Sequence, residues 1–225
     1  MRWPVLLLGA CGRVGFDETA IADAPAGLQV VQTAAMLATA GDISVPLAPT
    51  RAGSLIIVTS GNFGPPSTIA SISDDVGNVY VTANALSIAT GLDVDEIWYA
   101  SAAKAGATTV TVHSAAASKR EVWLLEVLGA SAAPLEIVGV ANNAAASTTP
   151  SSSPVTPTVV PALIVAVGDF DTGVSGLHAP SAFTALQILA GNDTAYQLVE
   201  APGTYIAVWD DPSLGTYCTS AAAFH

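Results

Sequence analysis

The chain has 225 residues, 51% of them hydrophobic and only 11% charged, and a net charge of −12. Six Lys plus Arg against eighteen Asp plus Glu leave no basic patch to neutralise phosphates, which excludes nucleic acid as a partner and argues against direct docking on anionic lipid. Charged residues make up about a quarter of an ordinary globular domain, so this surface must be covered by Ser, Thr, Gly, Asn and Ala, a habit of secreted β proteins.

In chain order, Met1-Arg2 supplies a positive start, Val5-Leu6-Leu7-Leu8 an apolar run, and Gly9 and Ala10 the small residues before Cys11. These are the parts of a secretory signal in miniature. The run falls far short of the roughly 20 residues that cross a bilayer. Leu8-Gly9-Ala10-Cys11 resembles the lipobox of bacterial lipoproteins, although ten residues make a short signal for that family. The resemblance implies that the Cys11 thiol is diacylated and that Cys11 becomes the first mature residue. Two or three acyl chains anchor a domain that a single chain holds only marginally. In that family an Asp after the cysteine favours the inner membrane, so Gly12 implies the outer membrane. Residues 12 to 27 lack periodicity and read as a tether. The organisation expected is a signal segment over 1–10, a flexible tether over 11–27 and one domain over 28–225.

From Leu28 onward, short runs rich in Val, Ile, Thr and Tyr alternate with Gly, Pro, Asn and Asp, and no segment sustains a helical period. Strands are expected at 28–34, 42–47, 54–60, 68–73, 78–83, 94–100, 107–113, 120–128, 135–140, 155–167, 182–189, 194–200, 204–209 and 216–224. The fold class that follows is all-β, a single two-sheet sandwich of jelly-roll type. Asp74-Asp75-Val76-Gly77-Asn78 reads as a hairpin turn. The Ser/Thr/Pro-rich piece 142–156 reads as a loop and edge strand inside the domain, since cutting there leaves too short a C-terminal piece for a core of its own. An internal echo, Leu55-Ile56-Ile57-Val58 to Gly61-Asn62-Phe63 against Leu163-Ile164-Val165 to Gly168-Asp169-Phe170, suggests two similar halves.

The order Ala52-Gly53-Ser54-Leu55-Ile56-Ile57-Val58, Ile72-Ser73-Asp74-Asp75-Val76-Gly77-Asn78, Ile97-Trp98-Tyr99-Ala100, Leu125-Glu126-Val127-Leu128-Gly129 and Leu163-Ile164-Val165-Ala166-Val167-Gly168 resembles a β-sandwich domain that recurs in bacterial extracellular proteins. That resemblance implies fold and location, not chemistry. If Cys11 is acylated, Cys218 lies outside any internal disulfide; a Cys11–Cys218 bridge is the competing reading.

Few residues invite chemistry. Glu126 sits in Val122-Trp123-Leu124-Leu125-Glu126-Val127-Leu128, apolar on both faces, and a buried carboxylate either finds a partner or shifts its pKa upward. The structural reading pairs it with Arg51, Lys104, Arg120 or backbone N–H groups. The catalytic reading needs a second acid across a groove, with Asp95, Glu96 and Glu121 as candidates. Asp169 and Asp171, alternating before Gly173, form half of a calcium loop, and no other cofactor is expected. His113, His178 and His225 form no zinc motif, and neither a nucleophile elbow nor a phosphate-binding loop occurs. Trp98, Tyr99, Trp123 and Trp209 are the candidate ligand-binding residues, because exposed rings on a flat face stack on sugars. Alternation puts Trp98 and Tyr99 on opposite faces, one toward the core and one outward.

The expectation is therefore a lipid-anchored outer-membrane module of the cell envelope that binds or scaffolds without catalysis, with carbohydrate one ligand class it would suit. A carbohydrate or an envelope protein is the partner expected, with membrane contact through the anchor alone. A structural or adhesive protein and a glycan-active enzyme using Glu126 are the alternatives.

Overall fold

The computed structural model describes residues 27–39, 41–63, 67–83, 87–88, 94–170, 179–212 and 214–225. The segment with Cys11, the tether to residue 26, Asp171 and His178 lie outside these residues. The described residues form β1 (Gln29–Ala38), β2 (Ile43–Pro46), β3 (Leu55–Phe63), β4 (Ile69–Asp74), β5 (Val81–Thr82), β6 (Ser87–Ile88), β7 (Val94–Ala100), β8 (Thr109–Ser114), β9 (Lys119–Leu128), β10 (Leu135–Ser147), β11 (Ala162–Phe170), β12 (Thr184–Ala185), β13 (Asp193–Val199) and β14 (Gly215–Phe224). The all-β sandwich expected is present.

Its layering goes beyond two sheets. A six-stranded sheet runs β1-β9-β3-β7-β5, with β6 also on β7; a five-stranded sheet runs β10-β14-β11-β13-β12; a three-stranded sheet runs β2-β8-β4. The six-stranded sheet is covered on both faces. On one face Leu55, Ile57, Trp123 and Leu125 meet Leu163, Val165, Ala222 and Phe224 of the five-stranded sheet. On the other, Ile56, Val58, Val122 and Leu124 meet Ile43, Val45, Val110 and Val112 of the three-stranded sheet. A third core lies on the outer face of the five-stranded sheet, where Ile164, Ala166, Ala221 and Ala223 pack under Val155, Ala207 and Trp209. Each large apolar side chain so enclosed stabilises the fold by about 1.5–3 kcal/mol.

Double coverage explains the uninterrupted apolar strings of β3, β9 and β11. Alternation of apolar and polar residues appears only where one face meets water, and it returns in the outer strand β2, whose Ile43 and Val45 are buried while Ser44 and Pro46 are exposed.

Topology divides the chain into two related halves. In the first, β1-β9-β3-β7 faces β2-β8-β4, the strand order of a jelly roll. In the second, β10-β14-β11-β13-β12 repeats the order β1-β9-β3-β7-β5, counted from its own start. Where the first half pairs β2 with β8, the second has two antiparallel bridges, Ser151 to Val208 and Val155 to Tyr205. The opening of the echo, Leu55-Ile56-Ile57 against Leu163-Ile164-Val165, follows this relation: Leu55, Ile57, Leu163 and Val165 face the shared interlayer core, and Ile56 and Ile164 the outer ones.

One local expectation is corrected. The 74–78 turn is present, with Gly77 at φ +74°, but it does not close a hairpin: β4 belongs to the outer sheet and β5 pairs with β7 in the six-stranded one. Of the 142–156 piece, 142–147 are the edge strand expected, as β10 extends to Ser147 alongside β14.

Candidate functional site

The best-built groove lies beside Tyr99, between the turn after β4 and the loop after β7. Asp74 organises the turn: its Oδ1 accepts the N–H groups of Val76 (3.1 Å) and Asn78 (3.0 Å), and its Oδ2 accepts the Asn78 amide (2.7 Å) and the Tyr80 hydroxyl (3.0 Å). Burial, together with the Asp74 charge, pushes the Tyr80 hydroxyl far above its usual range, so it stays a donor. Asn78 Oδ1 then accepts the Lys104 N–H at 2.7 Å, and Lys104 Nζ donates to the Gly77 carbonyl at 2.9 Å. Asp75 fixes the far side by accepting from the Thr108 N–H and hydroxyl.

These bonds frame a groove of about 340 Å³ lined by Asn78, Val79, Val81, Tyr99, Ser101 and Lys104. Val79 is 79% exposed and Val81 44%. Tyr99 is half-buried, its ring edge-on to Phe224 with centroids 5.6 Å apart. Ala102 in the same wall has φ +48°, a conformation that costs a non-glycine residue about 1 kcal/mol or more and collects at ligand sites.

The other aromatic candidates are placed differently. Trp123 and Trp209 are fully buried. Trp123 donates to the Gln187 carbonyl at 2.7 Å, and Trp209 donates to Asp193 at 3.0 Å while stacking edge-on against Phe170. Both fill the core and offer no face to a sugar. Trp98 is half-buried against the outer-sheet core and donates to Glu96 at 2.9 Å. The expectation that one of Trp98 and Tyr99 points outward is corrected by layering, since β7 has a packed sheet on either side.

Glu126 is 3% exposed and held at both oxygens. Oε2 accepts from the Gln32 amide at 2.5 Å and Oε1 from the Arg51 N–H at 2.6 Å. It is thus met by a backbone donor of Arg51 and by Gln32, a partner outside the expected set. The depression over it, about 120 Å³, is lined by Gln32, Arg51 and this single carboxylate, whereas glycoside hydrolysis uses two, about 5–10 Å apart.

The remaining acids gather where β3 and β11 end and β7, β9 and β13 begin. Asp95, Glu121 and Asp169 are fully buried. A methyl placed on Gly61 would sit 3.2 Å from Asp169 Oδ2 and 3.6 Å from Asp95 Oδ1. Burial raises the Glu121 pKa, opposed by Lys119, whose Nζ lies 3.7 Å away. Glu96 is likewise raised by burial, opposed by the Trp98 indole and the Ile69 N–H; behind it Arg120 is fully buried and donates to Ser60 at 2.8 Å and to the Ser67 carbonyl. Asp193 is pushed up to about 6 by burial, against the Trp209 indole and the Thr194 N–H. Asp169 therefore lies inside the sandwich, and its expected calcium partner Asp171 falls outside the described residues. Among the described residues no three His, Cys, Asp or Glu side chains converge on a metal position.

The sequence singles out Tyr99 but not the groove beside it. Val79 and Lys104 carry no motif, and only the run Asp74 to Asn78 signalled a fixed turn. No protein-family model, curated protein or solved structure matches the chain.

Proposed function

We propose that the chain is a non-catalytic, saccharide-binding module of the bacterial cell envelope, held at the outer membrane by lipid on Cys11. The groove beside Tyr99 carries this reading. Its aromatic ring is braced by Phe224, its exposed valines give an apolar floor, and its rim is fixed by the Asp74 and Asn78 hydrogen bonds before any ligand arrives, which lowers the entropy lost on binding. Sugar rings present C–H faces to aromatic and apolar groups and hydroxyls to polar rims, and Ser101 and the Lys104 ammonium supply the latter. Enclosure of Glu126 by Gln32 and Arg51 supports binding over hydrolysis.

The test is affinity electrophoresis of the full chain through gels containing bacterial surface polysaccharides, with Tyr99→Ala beside it. Retardation of the parent chain by at least one polysaccharide and its loss in Tyr99→Ala is expected. Equal retardation of the two, or none on any polysaccharide, refutes the proposal.

A further inference from the structure

The groove beside Tyr99 is lined by one charged side chain, that of Lys104. A lysine ammonium has three N–H donors, and here two are taken by neutral partners: Nζ donates to the Gly77 carbonyl at 2.9 Å and to the Val76 carbonyl at 3.3 Å. The backbone N–H of Lys104, donating to Asn78 Oδ1 at 2.7 Å, fixes the base of the same side chain. The ammonium is therefore held at the rim of the groove with one donor left.

Its charge also stands uncancelled. Lys119 Nζ faces Glu121 at 3.7 Å and Arg120 Nη1 faces Glu96 at 4.0 Å, whereas Lys104 forms no ion pair among the described residues. The two acids of the adjoining turn are engaged elsewhere, Asp74 with Val76, Asn78 and Tyr80, and Asp75 with Thr108. Neither lines the groove. The pairings of β5 with Tyr99 and Trp98, and of β6 with Asp95 and Val94, carry the chain away from this end of β7.

We infer that the saccharide taken by this groove bears a carboxylate, as uronic acids do, and that Lys104 is the residue that selects it. The inference rests on the saccharide reading above and names its ligand class. An ammonium already held by two carbonyls loses little freedom on meeting an anion, and a charge-assisted hydrogen bond to a carboxylate is about twice as strong as one between neutral groups. One remaining donor suits a single negative charge, with the sugar ring resting on Tyr99 and Val79. The chain's net charge of −12 opposes a polyanion at long range, so selection of an acid depends on contact with Lys104 itself. Without that ammonium the groove favours the uncharged form of the same sugar.

The test is affinity electrophoresis of the full chain in gels containing alginate or polygalacturonate, two uronate polymers, beside gels containing the same polymers with their carboxylates reduced to alcohols. The parent chain, Lys104→Gln, Lys104→Arg and Tyr99→Ala are run together. The parent should bind the acidic form of at least one polymer about tenfold or more tightly than its reduced form. Lys104→Gln should reverse that preference, and Lys104→Arg, which keeps the charge, should retain it. Equal affinity of the parent for the two forms, tighter binding of the reduced form, or a preference unchanged in Lys104→Gln overturns the inference. Loss of the preference in Lys104→Arg as well would make Lys104 a brace for the rim and equally overturn it. Retardation of the parent by another polysaccharide but by neither uronate polymer overturns the inference and leaves the saccharide reading standing, whereas equal retardation of the parent and Tyr99→Ala overturns that reading.

Discussion

Gln32 on β1 and Glu126 on β9 lock the edge of the six-stranded sheet to the loop before β3. The Gln32 amide donates to Glu126 at 2.5 Å and to the Ala48 carbonyl at 3.0 Å, while its carbonyl oxygen accepts the Ala48 N–H at 3.0 Å. Glu126 completes the link by accepting the Arg51 N–H. A glutamine at 126 has one acceptor oxygen for two donors. Glu126→Gln should therefore cost about 1–2 kcal/mol, read as a lower melting temperature, with polysaccharide retardation intact. A variant as stable as the parent chain would show that these bonds contribute nothing.

Gly61 is where the acids of two sheets approach one point, so any side chain there must displace a buried carboxylate. Gly61→Ala should destabilise by about 1–3 kcal/mol, measured by urea denaturation. An unchanged midpoint would mean that Asp95 and Asp169 move aside freely.

Layering was legible in the sequence, though it is read correctly only once the layers are known. The alternation of Ile43-Ser44-Val45-Pro46 and of Thr109-Val110-Thr111-Val112 marks strands with one wet face, and the unbroken Leu55-Ile56-Ile57-Val58 and Ala162-Leu163-Ile164-Val165 mark strands with none. A buried antiparallel strand and an ordinary apolar strand look alike in one dimension, which is why two sheets were expected where three occur. The Tyr99 groove was half legible: the ring and the Asp74–Asn78 turn stand in the sequence, but their approach depends on β5 crossing to pair with β7. The acids could not be grouped from spacing, because Asp95, Glu121 and Asp169 meet through strand ends far apart in the chain.

Asp193, with Glu96 and Glu121, shapes the pH behaviour. Its folded pKa of about 6 lies above its unfolded value, so the folded state holds the proton more tightly and stability falls as pH rises through about 6. Melting temperature should climb on acidification from pH 8 to 5. Asp193→Asn keeps an acceptor for the Trp209 indole, so it should lessen that climb, leaving the part due to Glu96 and Glu121, which burial also raises, and increase stability at pH 8 by about 1–3 kcal/mol. A parent chain with no change between pH 8 and 5 would contradict the assignment. Below about pH 4 the trend should reverse, because hydrogen bonds from His113 and Ser114 hold Asp42, and those from Thr108 hold Asp75, below the usual carboxylate range.

Lipid attachment at Cys11 is tested in the bacterial host by labelling with a fatty-acid probe. Cys11→Ser should lose the label and leave the membrane fraction. Retention of the variant in that fraction would refute the lipobox reading.

The central claim is that this sandwich binds saccharide at Tyr99 and does not cut it. The most direct measurement incubates the parent chain, Tyr99→Ala and Glu126→Gln with the polysaccharide that retards the parent, and follows both retention and reducing ends. Retention by the parent and by Glu126→Gln, its loss in Tyr99→Ala, and no reducing ends in any sample are the results expected. Reducing ends released by the parent and absent with Glu126→Gln would contradict it.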